Sequence, residues 1–258
     1  MKSNTLLLTS TIIPNAKGNV TRRSDPKLRL ADYENTLRFY LNLNQKMYDQ
    51  IIFCENSGAD LSSLELISKN ENPFDIDVVF HSSMADCNPE FGKGHSELQM
   101  MDRAFIDIIK GASQERVYWK LTGRIKIQNI ERLLRKAPKN FEVYIDMRLV
   151  PEWLTFFGND HWADTRIIGF TSRGYEKHFL NKKDFVGTPG NKIVVEYALF
   201  PSLMEKYLSG EPIIPRFNIQ PIMIGIGAES LKNYNDIPSR LKNVIRSITR
   251  IFMPKLWL

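Results

Sequence analysis

Three short apolar runs in this chain each break into a polar cluster where they end. QIIFCE, Gln50 to Glu55, leads into Asn56-Ser57-Gly58. VYWKL, Val117 to Leu121, leads into Thr122-Gly123-Arg124, and VYI, Val143 to Ile145, into Asp146-Met147-Arg148. Such runs read as buried strands, and stretches of helical periodicity separate them. Alternation of this kind predicts an α/β fold. Ligands of open α/β sheets sit outside the carboxyl ends of the strands. One polar cluster would be ordinary turn chemistry; three at three strand ends point to a site.

The remaining elements follow from periodicity. Asn4 to Ile13 is expected to be the first strand rather than a signal peptide, because its apolar run is short and interrupted by Thr and Ser. A helix is expected at Asp32 to Leu43, after the loop PNAKGNVTRRSDP. A strand follows at Asp77 to His81, and a long helix at Ser96 to Ile109, where Leu98, Met101, Ala104, Phe105, Ile108 and Ile109 share a face. Asn129 to Lys136 reads as a short helix, Phe141 to Ile145 as a strand, Val194 to Leu208 as a helix, and Ile213 to Ile226 as extended. Trp153 to Phe179 loosens the pattern by mixing aromatic, charged and glycine residues, as a substrate-facing surface would.

The two cysteines, Cys54 and Cys87, form no CxxC, which fits a reducing cytosolic compartment. No segment approaches the roughly 20 apolar residues that span a bilayer. The net charge is +6, and Arg240 to Leu258 carries Arg240, Lys242, Arg246, Arg250 and Lys255 with no acid. The rest of the chain is therefore nearly neutral, unlike a nucleic-acid binder with a basic face. Arg240 to Phe252 is an amphipathic helix with Leu241, Val244, Ile245, Ile248, Ile251 and Phe252 on one side.

The four histidines show no metal-ligand spacing. The one Asp-x-Asp, Asp75-Ile76-Asp77, precedes its strand instead of following it and reads as an entry turn, so no metal ligand is assigned. Asp146-Met147-Arg148 and Asp164-Thr165-Arg166 are either local ion pairs or groups that grip a phosphate and orient a sugar. In FGKGHSELQMM, Ser96 is expected to cap a helix, with Lys93 and Glu97 as site candidates beside its N-terminus. Glu196 sits alone in the apolar VEYALFPSL, where a carboxylate has a raised pKa and can act as a base. No GxSxG or Cys-His pairing supports a hydrolase.

Taken in order, these elements resemble a GT-A-type nucleotide-sugar glycosyltransferase. Leu6 to Pro14, Ile51 to Gly58 and Tyr118 to Arg124 fall in the family's order of nucleotide-binding strand ends. Lys120, Thr122, Gly123, Arg124 and Asn129 look like bacterial enzymes that build capsule or O-antigen. Lys93-Gly94 with Glu97, the two Asp-x-Arg triplets and IGIGAES (Ile224 to Ser230) look the same. The resemblance implies a mixed, Rossmann-type sheet flanked by helices over residues 1–238, with 239–258 as a C-terminal membrane-association helix. It implies that Thr9, Thr11, Pro14, Glu55, Asn56, Ser57, Lys93, Lys120, Thr122, Gly123 and Arg124 hold the nucleotide and diphosphate of a donor, UDP-linked in this reading. Glu97, Asp146, Arg148, Asp164 and Arg166 would line the sugar or acceptor site, and Asp164, Glu196 and Arg124 would carry catalysis. Most GT-A enzymes present an acidic pair after the strand equivalent to VYWKL, to hold a divalent metal on the diphosphate. Here Thr122-Gly123-Arg124 stands instead, so metal-independent transfer without a cofactor is expected, with arginine in the cation's electrostatic role. The expected acceptor is a lipid-linked glycan at the inner face of the cytoplasmic membrane, met by the basic helix. The competing reading is a non-enzymatic peripheral membrane protein that binds anionic partners through its tail.

Overall fold

The structure, a computed structural model, describes residues 3–14, 21–43, 47–83, 91–113, 115–150, 161–188, 191–192, 194–228, 231–253 and 256–257. Its elements run β1 (Asn4–Ser10), α1 (Pro26–Leu41), β2 (Gln50–Glu55), α2 (Ser62–Asn70), β3 (Asp77–Ser82) and α3 (Gly92–Ala104). Then come β4 (Val117–Thr122), β5 (Lys126–Ile127), α4 (Ile130–Arg135), β6 (Val143–Leu149), β7 (His161–Thr171) and α5 (Ser172–His178). The chain ends with β8 (Gly187–Thr188), β9 (Asn191–Lys192), α6 (Val195–Leu208), β10 (Ile213–Ile214), β11 (Met223–Ile224) and α7 (Ile237–Phe252).

Seven strands form one sheet in the order β10-β6-β7-β4-β1-β2-β3. β7 runs antiparallel to both its neighbours, and the other pairs are parallel. Strand alternation gives the sheet two buried faces. Leu6, Leu8, Phe53, Trp119 and Leu121 pack with Tyr33, Leu37 and Tyr40 of α1 on one face. Leu7, Ile52, Cys54 and Tyr118 pack with Met101 and Phe105, Tyr175 and Leu199 on the other. This is the GT-A-like mixed sheet, flanked by helices, that the sequence leads one to expect. From β1 the chain steps outward to β2 and β3, then returns to β4 on the opposite side, so the strand order reverses between β1 and β4. Such a switch point opens a crevice at the carboxyl ends of the strands.

Several boundaries differ from the sequence expectation for physical reasons. α1 starts at Pro26, not Asp32, because the Asp25 carboxylate caps the Lys27 N–H at 2.8 Å and Pro26 suits the first helical position. α3 starts a turn early, so Ser96 is not its cap; its hydroxyl donates back to the Gly92 carbonyl at 3.2 Å. The end of the expected helix is a π-helical turn, Phe105–Ile109. β6 continues to Leu149, which puts Asp146 and Arg148 inside the strand instead of beyond it. The largest difference is β7: 11 residues of the loosely patterned stretch form a strand in the middle of the sheet. Its register against β6 jumps between Ile145↔Ile168 and Asp146↔Asp164. The resulting bulge, Thr165 to Ile167, re-aims side chains as bulges commonly do.

α7 lies with its faces reversed relative to an ordinary surface helix. Its Arg250 side chain is 4% exposed and reaches Asp146 at 2.6 Å, Gln220 at 2.9 Å and the Phe217 carbonyl at 2.6 Å. Ile237, Leu241, Val244, Ile248, Ile251 and Phe252 are all exposed, up to 81% at Ile237.

Candidate active site

The switch-point crevice is a cavity of about 530 Å³. Register explains why it forms here: Thr9 lies opposite both Cys54 of β2 and Thr122 of β4, so three strands end at one level. Gly123 is required just beyond β4. A Cβ there would stand 2.7 Å from the Thr9 carbonyl oxygen, which accepts the Gly123 N–H at 2.9 Å. The expectation placed phosphates against Gly123; the structure places the backbone of the neighbouring strand there.

Of the expected nucleotide-site residues, Thr9, Thr11, Pro14, Asn56, Ser57, Lys93, Thr122 and Arg124 line this cavity. Glu97, Arg166 and Glu196 join them on its wall. Glu55 lies beneath the wall. It is fully buried, and its carboxylate accepts from the backbone N–H of Ile12 at 3.1 Å, Ser57 at 2.8 Å, Gly58 at 2.9 Å and Ala59 at 3.3 Å. It clasps the loops after β1 and β2 together. Lys120 is likewise inside, 1% exposed, where its ammonium meets Glu97 at 2.7 Å and donates to the Thr165 carbonyl at 2.5 Å. Lys120 therefore holds the floor of the cavity, and its charge is spent on α3 and β7.

Arg124 points into the cavity from the turn after β4. One guanidinium nitrogen donates to the Ile226 carbonyl at 3.0 Å, and its Nε is buried without a hydrogen-bond partner among the described residues. Gly225 allows this approach: a Cβ there would lie 2.8 Å from the Arg124 carbonyl oxygen, at a φ of +148° suited to glycine. Glu229 and Ser230 of the same IGIGAES stretch lie outside the described residues.

Sequence reasoning missed Arg29. It stands on the early turn of α1, and its side chain donates to the Thr11 carbonyl at 2.7 Å and to the Tyr33 hydroxyl at 3.3 Å. Burial lowers its pKa and the nearby Arg124 lowers it further, so two guanidinium groups share one end of the cavity. The missed signal was Asp25-Pro26, a helix start that would have put Arg29 on α1 facing the β1 end.

Asp146, Arg148 and Asp164 do not line this cavity. They line a second one of about 410 Å³, which Arg166 also borders. Asp164 accepts from Arg166 Nε at 2.7 Å and from its Nη2. Burial alone would raise the Asp164 pKa; Arg166, with Arg148 behind it, overcomes that and holds it at about 2. Glu196, at the start of α6, accepts from the Thr165 hydroxyl at 3.0 Å. Burial raises its pKa, and the charges of Glu97 and Asp164 raise it further. Cys54 is no nucleophile, since burial pushes its thiol up to about 12.

The turn after β4, Thr122-Gly123-Arg124, carries no carboxylate. Among the described residues, the one group of three potential ligands that converges is Glu142, His178 and Glu211. It lies before β6, away from the cavity, and Lys177 and Arg173 already pair with its carboxylates. Asp77 of the Asp-x-Asp caps the entry to β3, accepting from Gln50 at 2.7 Å.

No family model and no curated protein matches this chain. Solved structures similar to it include the inositol-1-phosphate CTP transferase from T. maritima, with 13% identity, 96% of each chain covered and a TM-score of 0.49. HddC from Yersinia pseudotuberculosis shows 11% identity over 94% of this chain and 98% of that one, with a TM-score of 0.46. Mouse xyloside xylosyltransferase 1, in its apo form, shows 10% identity over 83% and 84%, with a TM-score of 0.42. Likenesses this distant carry no argument about activity, and the fold here rests on strand order and direction.

The Asp164 pair makes a pH prediction. A carboxylate with a depressed folded pKa stabilises the fold above its unfolded pKa of about 3.9 and stops doing so as pH falls through the folded value. Urea unfolding of the native chain should therefore lose stability steadily as pH falls from about 4 towards 2, and Asp164→Asn should flatten that arm. Equal slopes in the two proteins would show that the pair is not coupled to folding.

Proposed function

We propose that the chain is a glycosyltransferase that uses a nucleotide-activated sugar, UDP-linked in our reading, and transfers it without a metal ion to a hydroxyl of a lipid-linked glycan in capsule or O-antigen assembly. The observation that carries this reading is the paired Arg124 and Arg29 at the β1–β4 switch point, at the position where the resembled family holds its metal. Thr11, Asn56 and Ser57 line the nucleotide end of the cavity, and the first turn of α3 brings Lys93 to the phosphates. The donor set after β4 is a hydroxyl, a backbone and a guanidinium, which does not fit a divalent cation.

The chemistry follows as a direct displacement. Glu196 takes the proton from the acceptor hydroxyl as that oxygen attacks the anomeric carbon. The bond from that carbon to the diphosphate oxygen breaks, and the nucleoside diphosphate leaves with the electron pair. Arg124 and Arg29 neutralise the charge that develops on it. Glu196 is preferred to Asp164 as the base because Asp164 is bound by Arg166 and is too weakly basic at a pKa of about 2.

α7 supports membrane attachment by a different route from the one its charge suggests. Its exposed row from Ile237 to Phe252 would enter the interface, with the exposed Arg240 beside it meeting anionic headgroups. The same row supports the competing, non-enzymatic membrane protein, which leaves the arginine-lined cavity unexplained.

Calorimetric titration of UDP should give the same affinity with and without EDTA, and Arg124→Ala should weaken it by about tenfold or more. Binding or turnover abolished by EDTA would overturn metal independence. Glu196→Gln should lower kcat by about 10²-fold or more and remove the acidic limb of the pH–rate profile, while UDP affinity holds. A retained limb would assign the base elsewhere. Full-length protein should float with anionic liposomes and the double variant Leu241→Glu/Ile248→Glu should not; equal flotation would rule out the α7 route.

A further inference from the structure

Among its described lining residues the second cavity carries more positive than negative charge. Arg148, Arg166, Lys242 and Arg246 line it against two carboxylates, Asp146 and Asp164. Both carboxylates are already engaged, Asp146 by Arg250 at 2.6 Å and Asp164 by Arg166. Arg148 comes no closer to Asp164 than 4.0 Å; it stacks over the Trp162 ring at 4.4 Å, and its Nε is buried without a hydrogen-bond partner among the described residues.

The cations also oppose one another. Burial, and after it the charge of Arg246, lowers the Arg148 pKa to about 10. Burial, and after it Lys242, lowers that of Lys232. An assembly of this kind gains most from a bound anion, which would restore each of these shifts. Arginine forks match phosphate oxygens, and a phosphate monoester brings about two negative charges near neutral pH, where a carboxylate brings one.

We infer that this cavity binds the phosphate of the acceptor substrate. Arg166 borders both cavities and so joins the acceptor phosphate to the donor site. The helix that closes the cavity is α7, which supplies Arg246 and Lys242; the basic tail is thereby part of the substrate site. The word acceptor rests on the transferase reading, whereas the phosphate site can be tested without it.

The test titrates inorganic pyrophosphate into the full-length protein, first saturated with UDP and then without it. Pyrophosphate should bind UDP-saturated protein, and Lys242→Gln/Arg246→Gln should weaken it by about tenfold or more while UDP affinity stays within about twofold. Arg124→Ala should leave pyrophosphate binding unchanged. Failure of UDP-saturated protein to bind pyrophosphate, or equal affinity in wild type and the double variant, would overturn the site. If UDP itself does not bind, the transferase reading falls, and pyrophosphate binding that depends on Arg246 but not on Arg124 still upholds the site. Farnesyl diphosphate and a hexose 1-phosphate serve as parallel ligands. Arg246-dependent binding of either supports the inference, and the tighter one identifies whether the phosphate arrives on a lipid or on a sugar.

Discussion

A lysine ammonium at the centre of a sheet must be neutralised where it lies. Lys120 alternates with Trp119 and Leu121, so the pleat turns it to the α3 face of β4 with nearly no exposure. Removing one partner of a buried pair costs about 3–5 kcal/mol, because the other charge is left without compensation. Glu97 and the Thr165 carbonyl meet that demand at 2.7 and 2.5 Å. Each contact fixes an element. Glu97 draws α3 over the ends of β1 and β4, where the Thr9 hydroxyl also donates to it at 2.9 Å. The Thr165 carbonyl is turned towards Lys120 by the bulge in β7, and the same bulge sends the Thr165 hydroxyl to Glu196 and Arg166 to the partition between the cavities.

Charges near the strand ends thus divide into two sets. Glu55, Lys120, Asp146 with Arg250, and Asp164 with Arg166 are satisfied by protein groups and set the architecture. Arg124 borders the switch-point cavity with its Nε unpartnered among the described residues, and Arg148, Lys242 and Arg246 border the second. On β4 the division follows from position: a charged group inside the strand must find its partner within the fold, while one on the turn beyond it keeps part of its hydrogen-bonding capacity for whatever enters. Lys120 and Arg124 are four residues apart and fall on opposite sides of that line.

Local pattern made the strand ends legible. β2 matches its expected span, β4 differs by one residue, and most of the residues expected to hold a nucleotide do line one cavity, because register in parallel strands brings consecutive strand ends together. What the pattern hid was non-local. β7 was obscured since its 11 residues mix Asp, Arg and Trp with apolar positions, and their burial depends on ion pairs made within the sheet. Arg29 was hidden because its role depends on α1 crossing the end of β1. The two Asp-x-Arg triplets were recognised as either ion pairs or a site, and their residues take both parts: Asp164 and Arg166 pair, and both border the second cavity.

α7 shows how composition can mislead about the surface a helix presents. A basic helix with one apolar face would ordinarily bury that face and leave its cations in water. Here the inward side is claimed by Asp146, a buried carboxylate that needs a cation, and Arg250 supplies it together with three further hydrogen bonds to Gln220 and Phe217. With Arg250 fixed inward and Arg246 one turn before it on the same side, the helix has no rotation left that could also bury Leu241, Val244 and Ile248. The apolar row is exposed because the electrostatic demand of the strand end outweighs it. A partner meeting α7 from outside therefore encounters a hydrocarbon stripe first, while the strongest positive charge of the tail acts on the interior of the cavity it closes.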